Sequence, residues 1–140
     1  MGNALRFELA QKHLSVLKQF FRVLTEEREA IISFSLEGII RANNVKEELL
    51  KKLEFLEGEE ARLAVTEGEA DKTSSEWSAL LDELAQVVDN VRIALEKNMR
   101  LLTFSMDHVR SSIEKMVSFI NRASYGGKRG PISIIVSKEV

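Results

Sequence analysis

The chain has 140 residues, the size of one domain, and 44% of them are hydrophobic, which is enough for a core. Its net charge of −2 argues against a general affinity for nucleic acid. The absence of cysteine excludes disulfides and thiolate metal sites.

The N-terminal segment, MGNALRFELAQKH, has no apolar stretch followed by a cleavage site, so it does not predict a signal peptide. No apolar run in the chain approaches the roughly 18 residues that a membrane span needs. We therefore expect a cytoplasmic protein without membrane insertion.

A first long helix is predicted from residue 14 onward. Its apolar residues recur at intervals of three and four, as an α-helix requires: Leu14, Leu17, Phe21 and Leu24, followed at the same spacing by Arg28 and then Ile31. Glu26, Glu27 and Glu29 lie in the same helix. Because consecutive helix positions point in different directions, we expect these carboxylates to lie on a solvated face and not to converge on a site.

The helical pattern changes phase in the segment ISFSLEGII, residues 32–40. Ser33, Ser35 and Gly38 lower the helix propensity there. Either the helix kinks in this segment, or the chain reverses and Ser35 caps a second helix. The pattern then resumes through Leu49, Leu53, Leu56 and Leu63.

The polar segment EGEADKTS, residues 67–74, is predicted to be the main reversal of the chain. Thr73 and Glu76 have the spacing of a capping box, so we expect the next helix to start at about residue 74. A helix from there to residue 124 would be about 75 Å long. Such a helix needs partners along its apolar side, and the N-terminal helices supply them.

This last helix carries an apolar seam with the alternating intervals of four and three that coiled coils show. The seam contains Leu84, Val88, Val91, Leu95, Asn98, Leu102, Ser105, Val109, Ser112, Met116, Phe119 and Ala123. Asn98 is polar. Either it fixes the register of the packed helices, or it is tolerated in a solvated layer.

These patterns predict an all-α fold. We expect an elongated antiparallel helical bundle or coiled-coil hairpin, with two or three long helices over residues 1–125. Residues 126–140 are expected to form a flexible C-terminal tail. At the end of that tail, ISIIVSKEV, Ile132, Ile134 and Val136 alternate with Ser133, Ile135 and Ser137, which is a strand-like period, but a single short strand has no sheet to join.

Few polar groups are spaced for chemistry. His13 and His108 both lack the Glu-x-x-His pairing of a helical di-metal site, and no phosphate-binding loop is present. We therefore predict no enzymatic activity, no cofactor and no metal. A histidine phosphotransfer domain that uses His108 is an alternative, although Arg110 and Ser112 stand where a lysine and a glycine usually follow the reactive histidine.

Two segments of the chain resemble the flagellar FlgN-type export chaperones. Residues 24–59, LTEEREAIISFSLEGIIRANNVKEELLKKLEFLEGE, are similar to the N-terminal half of that family: a leucine-rich helix with an acidic-Arg-acidic core, a short break, and a helix with K-E-x-L-L. Residues 95–130 are similar to the second half, which ends in a Tyr-Gly-x-x-Gly signature; here YGGKRG has the tyrosine and the glycine after it, with one extra residue before the last glycine. At the break, Phe34-Ser35 replaces the Gly-Asp that the family often shows.

The resemblance implies a cytoplasmic, non-enzymatic chaperone of type III (flagellar) secretion. Such chaperones bind the C-terminal amphipathic helices of hook-associated proteins, prevent their premature assembly and deliver them to the export gate. The family's tyrosine before the terminal glycines is associated with docking on that gate, and Tyr125 falls at this position.

A client helix would lie in an exposed apolar groove, with anchors at helical spacing. The C-terminal half of the last helix outruns its predicted partners, so the groove is expected there. The candidate client-binding residues are Leu102, Met106, Val109, Ile113, Met116 and Ile120. A generic coiled-coil adaptor or structural protein, which self-associates through the seam as a possible homodimer, is the main alternative.

Overall fold

The computed structural model describes residues 2–124, which form three α-helices. Helix α1 spans Gly2–Ile32, α2 spans Leu36–Glu67 and α3 spans Ser75–Ser124. The described residues contain no strand, and the all-α prediction is confirmed. The described residues divide into two compact units, the first ending at Leu101 and the second beginning at Leu102. The predicted tail, residues 126–140, lies outside the described residues.

Between α1 and α2 the chain reverses fully, so the kink alternative is wrong. The N–H of Ser35 donates to the carbonyl of Ala30 at 2.8 Å, and the N–H of Phe34 donates to that of Ile31 at 3.1 Å. These paired bonds form a Schellman motif, which ends α1. Phe34 occupies the left-handed position of the motif with φ 55°, where glycine is the usual residue.

The start of α2 packs closely against the end of α1. Ser35 caps α2, since its Oγ accepts a hydrogen bond from the N–H of Gly38 at 3.1 Å. A Cβ on Gly38 would lie 2.8 Å from the Cβ of Ala30. A glycine at position 38 therefore permits the close antiparallel contact of the two helices.

The variant Phe34→Gly is expected to raise the free energy of unfolding by about 1 kcal/mol. A left-handed conformation costs an L-residue about 1–2 kcal/mol. Phe34 is 62% exposed, so it contributes little packing, although the greater freedom of glycine in the unfolded chain offsets part of the gain. Urea unfolding measures the change, and Phe34→Ala, which keeps the backbone cost, is the control. A less stable Phe34→Gly would contradict the prediction.

The core of the first unit lies where α1, α2 and residues 75–101 of α3 meet. Helices α1 and α3 run in the same direction, because Phe7 contacts Trp77 near one end and Leu24 contacts Asn98 near the other. Leu24 is the most deeply buried large side chain, at 1% exposure. The main core cluster contains Leu9, Val16, Phe20, Val23, Leu24, Ala42, Leu49, Leu56 and Val91.

Helix α3 begins one residue later than its predicted capping box implies. The cap is Ser74, whose Oγ accepts the N–H of Trp77 at 3.2 Å. Thr73 instead donates its hydroxyl and its N–H to Oδ1 of Asp71, at 2.6 and 3.1 Å. These bonds, the hydroxyl's first, stabilise the charged carboxylate and hold the pKa of Asp71 below its usual value.

Arg6 is buried near the start of α1, at 7% exposure. Its Nε and Nη2 have no hydrogen-bond partner among the described residues. Because an unsatisfied buried polar group costs about 1–3 kcal/mol, the variant Arg6→Met is expected to raise the free energy of unfolding by about 1 kcal/mol in urea. Arg22→Met, on the exposed side of the same helix, is the control and should change little. A clear loss of stability in Arg6→Met would contradict the expectation.

Candidate functional site

A buried polar cluster joins the three helices of the first unit. Asn98 of α3 is 4% exposed, and its Nδ2 donates to the carbonyl of Leu24 at 2.8 Å and to Oε1 of Glu27 at 3.0 Å. Lys46 of α2 forms an ion pair with Oε2 of Glu27. We name Glu27, Lys46 and Asn98 the Glu27 cluster.

The Glu27 cluster corrects two expectations from the sequence. Glu27 is only 6% exposed, so the prediction of a solvated acidic face is wrong at this residue, although Glu26 and Glu29 are exposed. Asn98 is buried and hydrogen-bonded, so it does not lie in a solvated layer. A buried amide with satisfied donors is a group that can fix helix register.

The six residues predicted to bind a client all lie on α3 in the second unit, on one face of the helix. We name this set the α3 stripe: Leu102, Met106, Val109, Ile113, Met116 and Ile120. Its members are 38% to 62% exposed and recur at intervals of four and three. From first to last they span about 27 Å along the helix. A contiguous exposed apolar surface of this kind is typical of an interaction site.

The two sides of the α3 stripe differ in chemistry. At 3.6 residues per turn, Arg110 and Glu114 lie along one side and are exposed. Ser105 and Ser112 lie along the other side and are half-buried. Serine side chains are short, so a helix that packs on that side can approach closely.

Other exposed apolar residues lie outside the stripe. Phe104 is 69% exposed on the opposite side of α3, where its ring stacks on His108 with 6.4 Å between the ring centroids. Sequence reasoning did not select Phe104, because it falls outside the apolar seam. The sequence nevertheless marks Phe104 as unusual, because an aromatic residue stands at a position where the periodic pattern requires a polar one.

Groups for catalysis do not converge in the described part of the chain. No set of three or more His, Asp or Glu side chains within it is placed to hold a metal ion. His108 is exposed, and its ring stacks on that of Phe104. Exposure meets one requirement of a phosphotransfer histidine, but no acid or base there hydrogen-bonds to the imidazole.

A shallow groove of about 360 Å³ lies between α1 and α3 in the first unit. Phe21 contributes an aromatic ring to its lining, and Lys18 of the lining pairs with Glu83 at 2.7 Å. The lining residues are Lys18, Phe21, Arg22, Thr25, Glu26, Val87 and Asn90. Charges of both signs are present and none is buried, so the groove does not resemble an active site.

Tyr125, the residue predicted to dock on the export gate, lies outside the described residues. Within residues 2–124, no helix combines the length and the apolar character that crossing a bilayer requires.

Comparison with known proteins identifies a protein family. A family model described as FlgN protein matches residues 6–131, about nine-tenths of the chain. The matched range runs from the second turn of α1 past the end of α3 and includes the Glu27 cluster, the α3 stripe and position 125. Searches among curated proteins and solved structures return no significant match.

Proposed function

The chain belongs to the FlgN family, and on this premise we propose that it is a flagellar export chaperone for hook-associated proteins. It binds the C-terminal amphipathic helix of such a protein in the cytoplasm, prevents premature assembly and delivers the client to the export gate. The role is non-enzymatic and uses no cofactor, metal or nucleic acid. The observation that carries the proposal is the exposed α3 stripe.

The α3 stripe supports this function through its spacing. Helix-in-groove recognition uses apolar anchors at i, i+3, i+4 and i+7, and the stripe supplies anchors of that spacing over five turns. Met106 and Met116 are 60% and 62% exposed. Their unbranched, polarizable side chains adapt to different partner surfaces, which suits a chaperone with more than one client.

The energy of such a contact is spread over the stripe. Burying one of these partly exposed side chains contributes about 1 kcal/mol. Association costs at least about 4 kcal/mol of lost translational and rotational freedom. Stable binding therefore needs most of the six side chains together, and a charge near the middle of the stripe should be highly damaging.

The direct test is titration calorimetry of the full chain with a peptide from the C-terminal helix of a hook-associated protein. We expect a dissociation constant below about 50 μM. A peptide with the same composition but without the apolar face is the matched control and should not bind. If the native peptides bind no better than this control, the proposed function is wrong.

Tyr125 is proposed to dock on the export gate, because aromatic residues with a polar tip are favoured anchors at interfaces. Tyr125→Ala is expected to reduce secretion of hook-associated proteins by cells at least about tenfold, the effect of losing one strong anchor. Its affinity for the client peptide should be unchanged, since position 125 follows the stripe. Tyr125→Phe tests the hydroxyl separately. Normal secretion by Tyr125→Ala would contradict the docking role.

A coiled-coil adaptor is the second candidate function, because the stripe continues the seam that packs in the first unit and a second copy of the chain would fit the same spacing. Sedimentation velocity distinguishes the two. A stable homodimer that binds no client peptide would favour the adaptor. A chain that binds peptide as a monomer would favour the chaperone.

A further inference from the structure

We propose that the Glu27 cluster is a register lock: it fixes where α3 lies along the hairpin of α1 and α2, and so keeps the α3 stripe available to a partner. The effect on a partner rests on the proposed function, whereas the lock itself does not. Asn98 is thus a positioning residue, which acts on binding through the placement of α3.

The apolar pattern of α3 does not determine its register. Trp77, Leu84 and Val91 precede Asn98 at seven-residue intervals, and Ser105 follows at the same interval. The seam has the same spacing on both sides, so a shift of one heptad, about 10.5 Å, would keep a seam residue at each packing position. The connector of residues 68–74 does not prevent the shift, because seven residues span up to about 24 Å when extended.

The buried polar groups do distinguish the registers. Asn98 has two amide protons, and it donates one to the carbonyl of Leu24 and one to the carboxylate of Glu27. A shift in one direction brings Val91 to this level, and the Leu24 carbonyl and the Glu27 carboxylate then lose the hydrogen bond from the amide. A shift in the other direction brings Ser105, which has a single proton on a shorter side chain. The observed register is the one in which both groups accept a hydrogen bond from α3.

Lys46 ties the lock to the second helix of the hairpin. Its ammonium pairs with the Glu27 oxygen that Asn98 does not use. The carboxylate is therefore held by α2 from one side and by α3 from the other. Each helix of the first unit contributes a group, so a shift of α3 cannot keep the cluster intact.

The direction that brings Ser105 to Glu27 has a consequence for the stripe. It would move Leu102 into the half-buried place of Leu95, and the stripe would lose its first anchor. By fixing the register of α3, the lock keeps Leu102 available as the first anchor of the stripe.

The contact between Phe7 and Trp77 also opposes a shift, at the other end of the bundle. Phe7→Ala weakens that contact and leaves the Glu27 cluster unchanged, so it is the background for the test. Trp77 is the single tryptophan and is 4% exposed, which makes its fluorescence a reporter of register.

The test is to exchange the two residues, Asn98→Ser with Ser105→Asn, in the Phe7→Ala chain. The exchange moves the amide by one heptad at constant composition. We expect a red shift of Trp77 emission and faster acrylamide quenching, at unchanged helicity in far-ultraviolet circular dichroism. Phe7→Ala alone lacks the ring beside Trp77 but retains Asn98, so its emission is the native reference for this background. Phe7→Ala with Ser112→Asn also retains Asn98 and should have the same emission.

The outcomes separate the lock from the proposed function. Native-like emission in the folded exchange variant overturns the lock, whatever the protein binds. If the native chain binds no hook-associated peptide, the proposed function is wrong, and the emission of Trp77 still tests the lock. If the exchange variant does not fold, Asn98→Leu in the Phe7→Ala chain replaces it, with an expected mixture of native and red-shifted emission. A single native emission in that variant also overturns the lock.

Discussion

Ile113→Glu is expected to weaken binding of a hook-associated client peptide by at least about 100-fold. Ile113 lies in the middle of the α3 stripe, so a client helix would bury the new carboxylate without a partner, at a cost of about 3 kcal/mol or more. Each 1.4 kcal/mol corresponds to about tenfold in affinity. Ile113 is 40% exposed in the free chain, so the free energy of unfolding should change by less than about 0.5 kcal/mol.

The matched control for Ile113→Glu is Ser111→Glu. Ser111 is exposed on the opposite side of α3, so the same charge is added two residues away without entering the stripe. When both variants are titrated with the client peptide, only Ser111→Glu should bind it with native affinity. Ile113→Lys, of opposite charge, should also lose binding if burial is the cause. If Ile113→Glu binds the peptide with an affinity within about threefold of native, the stripe is not the binding site.

Lys46→Met is expected to lower the free energy of unfolding by about 3 kcal/mol. Removing one partner of a buried ion pair costs about 3–5 kcal/mol, because the other charge is left uncompensated. We expect the lower end of that range, since the Lys46 side chain is 20% exposed. Urea unfolding measures the loss. Lys18→Met removes an exposed pair with Glu83 and should cost less than about 1 kcal/mol.

The double variant Glu27→Met with Lys46→Met separates a charge effect from a loss of packing. Replacing both charges with apolar side chains of similar size is often nearly neutral. The double variant should therefore be more stable than Lys46→Met alone, although Asn98 then loses one acceptor. If Lys46→Met and Lys18→Met lower the free energy of unfolding equally, the Glu27–Lys46 pair behaves as a surface ion pair.

The sequence predicted the helices well, because their periodicity is long and regular. It left open whether the chain kinks or reverses near residue 34, and the reason is local. A helix that ends in a Schellman motif usually has glycine at the left-handed position, and here Phe34 occupies that position. At the start of α3, Thr73 and Ser74 are adjacent and both are good caps, so the boundary was predicted only to within one residue.

Nothing in the sequence around Glu27 indicates that this residue is buried. Glu26, Glu27 and Glu29 look alike in the sequence, and what distinguishes Glu27 is a lysine from α2 and an asparagine from α3. By contrast, the α3 stripe follows from periodicity together with the unequal lengths of the helical patterns. The six residues are exposed, and their binding role remains a prediction.

Because Asn98 reaches back to Leu24 and Glu27, the native packing cannot be completed until the chain has been made to at least residue 98. A ribosome releases the hairpin of α1 and α2 first, with the carboxylate of Glu27 already beside Lys46 but its amide donor still absent. Domains generally fold as units during synthesis, and contacts distant in sequence form late. The nascent hairpin therefore exposes the apolar side that α3 later covers, and this surface stays exposed at least until residues 75–101 have been synthesised.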